Sequence, residues 1–250
     1  QVDAAPEGSE LTLVPGDYSG QGMKITKSLS VNMVGVQNMN AMQNDKGIIN
    51  FECDGCTLVV NDWKTDAKCR FKGNAVIKMT GNSPNLVVNN ANFNDCSVGI
   101  LTDNRGGTVE INDSSFTEMG KTVGWGVQHV IYAGTIDRLD FVRSYIGSPY
   151  GRGHLLKSRA AITNIIDSTL DGRRSDTSPG LHARAIDYSC GGDLTMTGTF
   201  IGYSDYTDNA DMVSVGTETV GCPGDTARAS SVKLEDNLWI VDRDRSDDEP

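Results

Sequence analysis

The chain has 250 residues, of which 38% are hydrophobic and 22% are charged, a composition typical of a globular protein. Its net charge of −11 argues against general binding to nucleic acid or to an anionic membrane, and no apolar run approaches the ~18 residues of a membrane span. Its 28 Gly and 6% aromatic residues favour a turn-rich β protein. We therefore expect a single all-β domain over residues 1–250, with a frayed tail at 242–250.

The chain opens with short runs in which apolar and polar residues alternate. LTLV and MKITKSLSVNMV, within 2–35, predict strands around a Pro15-Gly16 turn. This opening resembles the first coil of many right-handed parallel β-helix proteins. The resemblance marks a fold and implies no chemistry by itself.

Strand-like runs recur from residue 48 onwards. Each ends in a large apolar residue, and these residues follow one another at intervals of 23 to 30: Phe93, Phe116, Ile146, Leu170 and Phe200. A repeat of this length made of strands and turns predicts a stack of coils. We expect a single-stranded right-handed parallel β-helix, a solenoid of about seven or eight coils, with a jelly roll or sandwich as the alternative.

Six cysteines in a chain that begins at Gln1 without an initiator Met predict a processed, exported protein, secreted or periplasmic, with disulfides. Two pairs are separated by about one coil and could bridge adjacent coils: Cys69/Cys96 and Cys190/Cys222. The remaining Cys53 and Cys56 could instead join the first pair in a zinc site, although no His accompanies them.

The three histidines lie in a stretch that repeats itself. HVIYAG (129–134) can be laid over HLLKSR (154–159) with an offset of 25 residues, and RAIDYS (184–189) adds a third line. Residues in one column of a stacked fold become neighbours. The overlay predicts two columns: His129, His154 and Arg184; and Tyr132, Lys157 and Asp187. Arg159 follows Lys157 by two positions and should share its side of the strand, whereas His182 falls in a loop.

The charge distribution adds a second signal. Residues 138–184 contain eight Lys or Arg and only four acids, within a chain of net charge −11. A cationic patch on an acidic body suits a protein that holds a polyanion in one place. A chance fluctuation in surface charge, or a ladder of polar side chains without chemistry, is the plainer alternative.

These residue types match the needs of β-elimination on a uronate. The C6 carboxylate must be neutralised, which Arg can do, and the C5 proton and the leaving O4 need a base and an acid, roles open to Lys, Tyr or His. The predicted catalytic residues are Lys157, Tyr132, His129, His154 and Arg159. The predicted substrate-binding residues are Arg184, Arg152, Arg143, Asp187, Tyr188 and His182. We expect Lys157 to face solvent, because burying an unpaired ammonium would cost several kcal/mol.

The motifs HxxY, GHxxKSRA (153–160) and AIDYSCGGD (185–193) resemble exported bacterial β-helix proteins of the pectate-lyase-like superfamily. That superfamily includes alginate and other uronan lyases and mannuronan C5-epimerases. The chain lacks the Asp-Pro-His-Asp motif of the epimerases and the motif set of polygalacturonases. The resemblance implies a polysaccharide lyase acting on a uronic-acid polymer.

Other functions stay open at this point. A C5-epimerase or a glycosidase could use the same scaffold, although hydrolysis needs two suitably placed carboxylates. A noncatalytic glycan-binding surface protein would need only the basic face. We expect no required cofactor and no protein metal site, although calcium could be held by Asp205, Asp208 and Asp211. The expected partner is an acidic polysaccharide, and we expect a monomer that binds neither nucleic acid nor membrane.

Overall fold

The structure, a computed structural model, describes residues 2–43, 47–69, 74–120, 128–173, 182–204 and 211–242. Its regular structure is almost entirely short β-strand, because apolar and polar residues alternate along each segment. In the strand Asn85–Asn89, for example, Leu86 and Val88 are buried and the residues beside them are partly exposed. Among the described residues, no helix has the length and apolar character needed to cross a membrane.

The strands form three long sheets and one short pair. Sheet 1 contains nine strands: β1 (Glu10–Thr12), β4 (Leu29–Asn32), β7 (Thr57–Asn61), β10 (Asn85–Asn89), β13 (Thr108–Asn112), β16 (Arg138–Val142), β19 (Ile162–Ile166), β22 (Asp193–Thr197) and β25 (Ser231–Glu235). Sheet 2 contains seven: β8 (Lys64–Cys69), β11 (Asn92–Cys96), β14 (Ser115–Thr117), β17 (Tyr145–Gly147), β20 (Thr169–Asp171), β23 (Phe200–Ser204) and β26 (Leu238–Asp242). Sheet 3 contains eight: β3 (Met23–Ile25), β6 (Gly47–Glu52), β9 (Ala75–Thr80), β12 (Val98–Thr102), β15 (Ile131–Ala133), β18 (Leu156–Ser158), β21 (Ile186–Tyr188) and β24 (Val213–Val215). The short pair is β2 (Gly16–Asp17) with β5 (Val36–Gln37), and one 3-10 helix spans Pro223–Asp225.

Consecutive strands along the chain enter the three sheets in turn, so each strand pairs with the equivalent strand one coil away. All pairings between these strands are parallel; β10, for instance, places Asn85 beside Thr108 of β13. This arrangement is the predicted parallel β-helix. The predicted frayed tail lies outside the described residues, apart from Asp242 at the end of β26.

The register between coils stacks apolar residues on equivalent apolar residues. Four of the five recurring large apolar residues form one column in sheet 2: Phe93, Phe116, Ile146 and Leu170. The next member of that column is the fully buried Ile201, and the fifth recurring residue, Phe200, lies outside the column. Only one of two adjacent strand residues can face the core, and Phe200 pairs instead with Thr169 in the outward column.

Three disulfides join all six cysteines. Cys69–Cys96 bridges the neighbouring strands β8 and β11, and Cys190–Cys222 ties the turn after β21 to the long loop after β24. Both pairings were among those predicted from their spacing. Cys53–Cys56 forms the third, so the alternative zinc site was wrong, since its sulfurs are already bonded. Disulfides are more typical of extracytoplasmic proteins than of cytosolic ones.

Candidate active site

The outward face of sheet 3 carries the predicted column of functional residues. Tyr132 on β15, Lys157 on β18 and Asp187 on β21 lie side by side, and Ser214 on β24 extends the column. Each is the middle residue of a three-residue strand whose flanking residues point the other way. The offset of 25 residues between the first two lines therefore predicted the correct register, because a strand has only two faces.

Lys157 does not face solvent, and this prediction was wrong. Its side chain is only 9% exposed, and its Nζ lies 2.9 Å from Asp187 Oδ2 and 2.5 Å from Glu218 Oε1. An ammonium can be buried when carboxylates compensate its charge. The sequence argument considered an unpaired Lys and did not include either acid as its partner.

Asp187 is the most buried member of the column and receives several hydrogen bonds. Ser214 Oγ donates to its Oδ1 at 2.7 Å, and Ser189 Oγ donates to its Oδ2 at 2.9 Å. His154 Nε2 lies 3.2 Å from Oδ2. Burial alone raises the pKa of Asp187, but hydrogen bonds from His154, Ser214 and Lys157 outweigh burial and lower it well below its usual range. Asp187 is therefore a fixed negative charge and does not serve as a proton donor.

His129 and His154 form the neighbouring column, as predicted. Their rings stack with centroids 4.8 Å apart and planes 7° apart, and the backbone N–H of His154 donates to His129 Nδ1 at 2.9 Å. Burial, together with electrostatic interactions with His154 and Lys157, lowers the pKa of His129 to about 3. At neutral pH His129 is uncharged, and because Nδ1 accepts a hydrogen bond, its single proton lies on Nε2.

Tyr132 lies at the exposed rim of this cluster. The guanidinium of Arg159 lies 5.6 Å from the centroid of its ring, and the His129 ring centroid is also 5.6 Å away. Both Tyr132 and Arg159 are partly exposed, in contrast to Lys157 and Asp187 beneath them. A ligand approaching sheet 3 can thus reach the phenol and the guanidinium.

Glu218 is the member of the site that sequence reasoning missed. Its Oε1 contacts Lys157, and its Oε2 lies 2.7 Å from the NH2 nitrogen of Arg159, so one carboxylate bridges two cations. Burial raises the pKa of Glu218, but hydrogen bonds from Lys157 and Arg159 outweigh it and lower that pKa. Glu218 lies in an irregular loop, where no repeated sequence line could be overlaid to predict its neighbours. The only signal was the Cys190/Cys222 spacing, because that disulfide fastens the same loop.

Two predicted substrate-binding residues lie at the edge of this cluster. Arg184 follows His154 in the column and its NH2 nitrogen lies 3.8 Å from Asp211 Oδ2. His182 is fully buried, and its ring packs edge-on against Tyr203 with centroids 5.1 Å apart. Burial and the charge of His154 lower the pKa of His182 to about 4, so it is a neutral core side chain at neutral pH.

Of the three other predicted binding residues, Tyr188 and Arg143 make their contacts away from the site. Tyr188 faces the core, is fully buried and donates its hydroxyl to Ala161 O at 2.7 Å, so a substrate contact is not supported. Arg143 lies at the corner between sheets 1 and 2 and makes a two-pronged pair with Asp113, both contacts at 2.7 Å. Arg152 is exposed in the loop between β17 and β18.

The suggested calcium loop is only partly visible. Asp205 and Asp208 lie outside the described residues, and Asp211 is the acid beside Arg184. Within the described ranges, no group of three or more His, Cys, Asp or Glu side chains is arranged to hold a metal ion.

Comparisons with known proteins add no assignment. The chain matches no protein-family model, no curated protein and no solved structure. The resemblance to the pectate-lyase-like superfamily therefore stays a prediction.

Proposed function

We propose that the protein is an exported polysaccharide lyase that cleaves a uronic-acid polymer, such as alginate, by β-elimination. The observation that carries the proposal is the bridge made by Glu218. Lys157 and Arg159 hold a single carboxylate between them, beside the partly exposed phenol of Tyr132. Two cations spaced to bind one carboxylate, next to a group that can transfer a proton, are what β-elimination requires.

Carboxylate binding is the first step of this proposal. The C6 carboxylate of the uronate replaces Glu218 on Arg159 and Lys157, while Lys157 keeps Asp187 as its second partner. Arg159 can bind a carboxylate with two parallel hydrogen bonds. Neutralising this carboxylate stabilises the negative charge that develops when the C5 proton leaves.

Proton transfer then falls to Tyr132. Lys157 is paired with two acids, and the His129 proton is fixed on Nε2 by the hydrogen bond that Nδ1 accepts, so neither is a ready base. In the proposed step the deprotonated Tyr132 oxygen takes the C5 proton beside the Arg159 cation. The C4–O4 bond breaks as the C4=C5 double bond forms, and the phenol returns the proton to O4.

Hydrolysis is less well supported by the same geometry. A glycosidase needs one protonated carboxylic acid. The pKa of Asp187 and the pKa of Glu218 are both lowered by their cationic partners. The two acids of the cluster are therefore placed to compensate cations and not to protonate a leaving group.

Glycan binding without catalysis is the second candidate function. The observation that favours it is that Lys157 and Arg159 are already paired with acids, as they would be in a network that only stabilises the fold. A surface protein that recognises sugars through the rim residues would need no proton transfer.

One assay separates these functions. The purified chain is incubated with alginate, glucuronan, pectate and glycosaminoglycans, and the ultraviolet absorbance of the 4,5-unsaturated uronate is followed, with a Tyr132→Phe preparation as the control for contaminating lyase. Absorbance that rises only with the wild-type chain supports the lyase. Solvent deuterium at C5 without cleavage indicates an epimerase, new reducing ends without absorbance indicate a glycosidase, and retention on the polymer without product indicates a binding protein. Any of these three results would overturn the proposal.

A further inference from the structure

The C-terminal end of the β-helix leaves core positions uncovered. Val232 and Leu234 on β25 lie in register with Leu194 and Met196 on β22, which are buried. Yet Val232 is 47% exposed and Leu234 is 50% exposed. No further coil packs on them within the described ranges, so an apolar row that the next coil covers elsewhere is here open to solvent at the end of the helix.

The same strand also presents an unpaired backbone edge. Ser231 N–H donates to Gly192 O at 3.0 Å, so the backbone groups of Ser231 and every second residue after it face β22. Those of Val232 and Leu234 consequently point away from β22, and β25 is the last strand of sheet 1 in the part of the chain described. An open edge next to apolar side chains is a site at which another strand can add.

The N-terminal end is different, because the chain covers it. Val2 and Ala5 pack against the core near β1, and Lys27 Nζ holds this segment through a hydrogen bond to Ala5 O at 2.7 Å. Head-to-tail stacking of coils from two molecules would have to displace that cover. Two C-terminal ends can meet without such a change.

We propose that the C-terminal end binds a second copy of this chain, with the two β25 strands antiparallel about a two-fold axis at Leu234. The charges on β25 favour this register. Lys233 and Glu235 lie on the outward face, 2.9 Å apart in one chain. With Leu234 opposite its equivalent, each Lys233 faces the partner's Glu235, whereas a register centred on Lys233 would oppose two lysines.

A second copy is favoured over the remainder of this sequence as the occupant. Residues 243–250 read RDRSDDEP and contain no aliphatic or aromatic side chain that could cover the apolar row. A strand identical to β25 supplies both the apolar residues and the complementary charges. Because the contact is the same patch on both chains, it closes at two copies.

The experiment is a set of charge exchanges measured as molar mass by light scattering and sedimentation across a concentration series. The wild-type chain is expected to be a dimer at the upper end of the series. Lys233→Glu and Glu235→Lys should each weaken dimerisation by at least about tenfold, since like charges then oppose each other twice. An equimolar mixture of the two variants, and the double exchange K233E/E235K, should both restore the dimer.

Two further variants test whether the association is specific to β25 or is nonspecific association of exposed apolar residues. Leu234→Asp should give a monomer, whereas Val220→Asp, at an 80% exposed apolar residue of the loop after β24, should leave the mass unchanged. Circular dichroism checks that each variant is folded. A wild-type monomer at every concentration, single exchanges without effect, exchanges that are not rescued, or growth beyond two copies would each overturn the proposal.

Discussion

Sheets 1 and 3 both carry columns of polar side chains across several coils, but the polar groups of the two columns find their hydrogen-bond and ion-pair partners in different ways. In sheet 1, Asn61 Nδ2 donates to Asn32 Oδ1 at 2.9 Å, Asn89 donates to Asn61 at 2.9 Å, and Asn112 donates to Asn89 at 3.1 Å. The two middle amides, Asn61 and Asn89, each donate and accept, so identical residues in a column can supply one another's hydrogen bonds. We call these four residues the Asn ladder.

The sheet 3 column cannot do this, because Tyr132, Lys157 and Asp187 are of different types and two are charged. Lys157 and Asp187 pair with each other, but further partners come from outside the column, including Glu218 on a distant loop and His154 beside it. A residue type repeated in successive coils can thus supply its own hydrogen-bond partners. A column whose residue type changes from coil to coil needs additional partners from other parts of the chain.

Replacing Lys157 by Met should produce the largest change, because it alters both stability and activity. The buried Asp187 would lose its ammonium partner, and removing one member of a buried ion pair costs about 3–5 kcal/mol. Chemical unfolding measures this loss, and turnover on the uronan should also fall. A loss of stability below about 1 kcal/mol would mean that the network is not electrostatically coupled.

Tyr132→Phe should separate chemistry from stability. Removing the hydroxyl of a proton-transfer group lowers turnover by roughly 10²- to 10⁴-fold, while the partly exposed ring keeps its contacts. The matched control is Tyr145→Phe, an exposed tyrosine on sheet 2, which should retain full activity. Unfolding midpoints of both variants should stay near that of the wild type. If Tyr132→Phe keeps more than about a tenth of the turnover, Tyr132 is not the proton-transfer group.

The Asn ladder and the histidine column next to Tyr132 should also differ in their response to acid, since amides do not titrate and His129 does. The folded-state pKa of His129 is about 3, below the value of about 6.5 in an unfolded chain. Its neutral form therefore stabilises the fold above about pH 6.5, and this contribution is lost as the pH falls towards about 3. At pH 5 the loss is at most about 2 kcal/mol.

The contribution of His129 is measured from the free energies of unfolding at pH 7 and pH 5, for the wild-type chain and for His129→Asn. The variant should lose less stability than the wild type when the pH falls from 7 to 5. Asn89→Ala, in the Asn ladder, should change stability equally at both. An equal pH dependence in the wild type and in His129→Asn would assign the acid response to other groups.

The smallest effect is expected in the Asn ladder itself. Asn89→Ala removes one hydrogen bond on each side, from partly exposed amides, and should cost about 1 kcal/mol without changing turnover. Thermal unfolding and the lyase assay measure the two quantities. A loss of activity from this variant would show that the two sheets are coupled, contrary to the comparison.

Much of the fold was predictable because two periodicities fix it. The alternation of apolar and polar residues predicts strands, and the recurrence at 23 to 30 residues predicts coils. The recurrence of large residues identifies the wrong position at Phe200, because counting intervals between large residues cannot distinguish Phe200 from the adjacent apolar Ile201. Ile201, four residues after the end of β22, occupies the place that Ile146 has after β16.

The site was predictable only where it lies on strands. The column of Tyr132, Lys157 and Asp187 follows from overlaying repeats, since paired parallel strands carry equivalent residues side by side. Glu218 could not be found this way, because loop conformation has no period. Because Glu218 was missed, Lys157 was predicted to be exposed. The burial of a cation can be predicted only when all the acids that contact it are known.

The Cys190–Cys222 disulfide has a consequence for the unfolded chain. It closes a loop with a sequence separation of 32 residues, and that loop contains Glu218. Such a crosslink lowers the conformational entropy of the denatured ensemble by an amount equivalent to about 4 kcal/mol. Arg159 lies outside this ring, 59 residues from Glu218 in sequence. The crosslink nevertheless holds Glu218 near Cys190 and so shortens the stretch of chain that separates Glu218 from Arg159 during refolding, however irregular the loop that carries the acid.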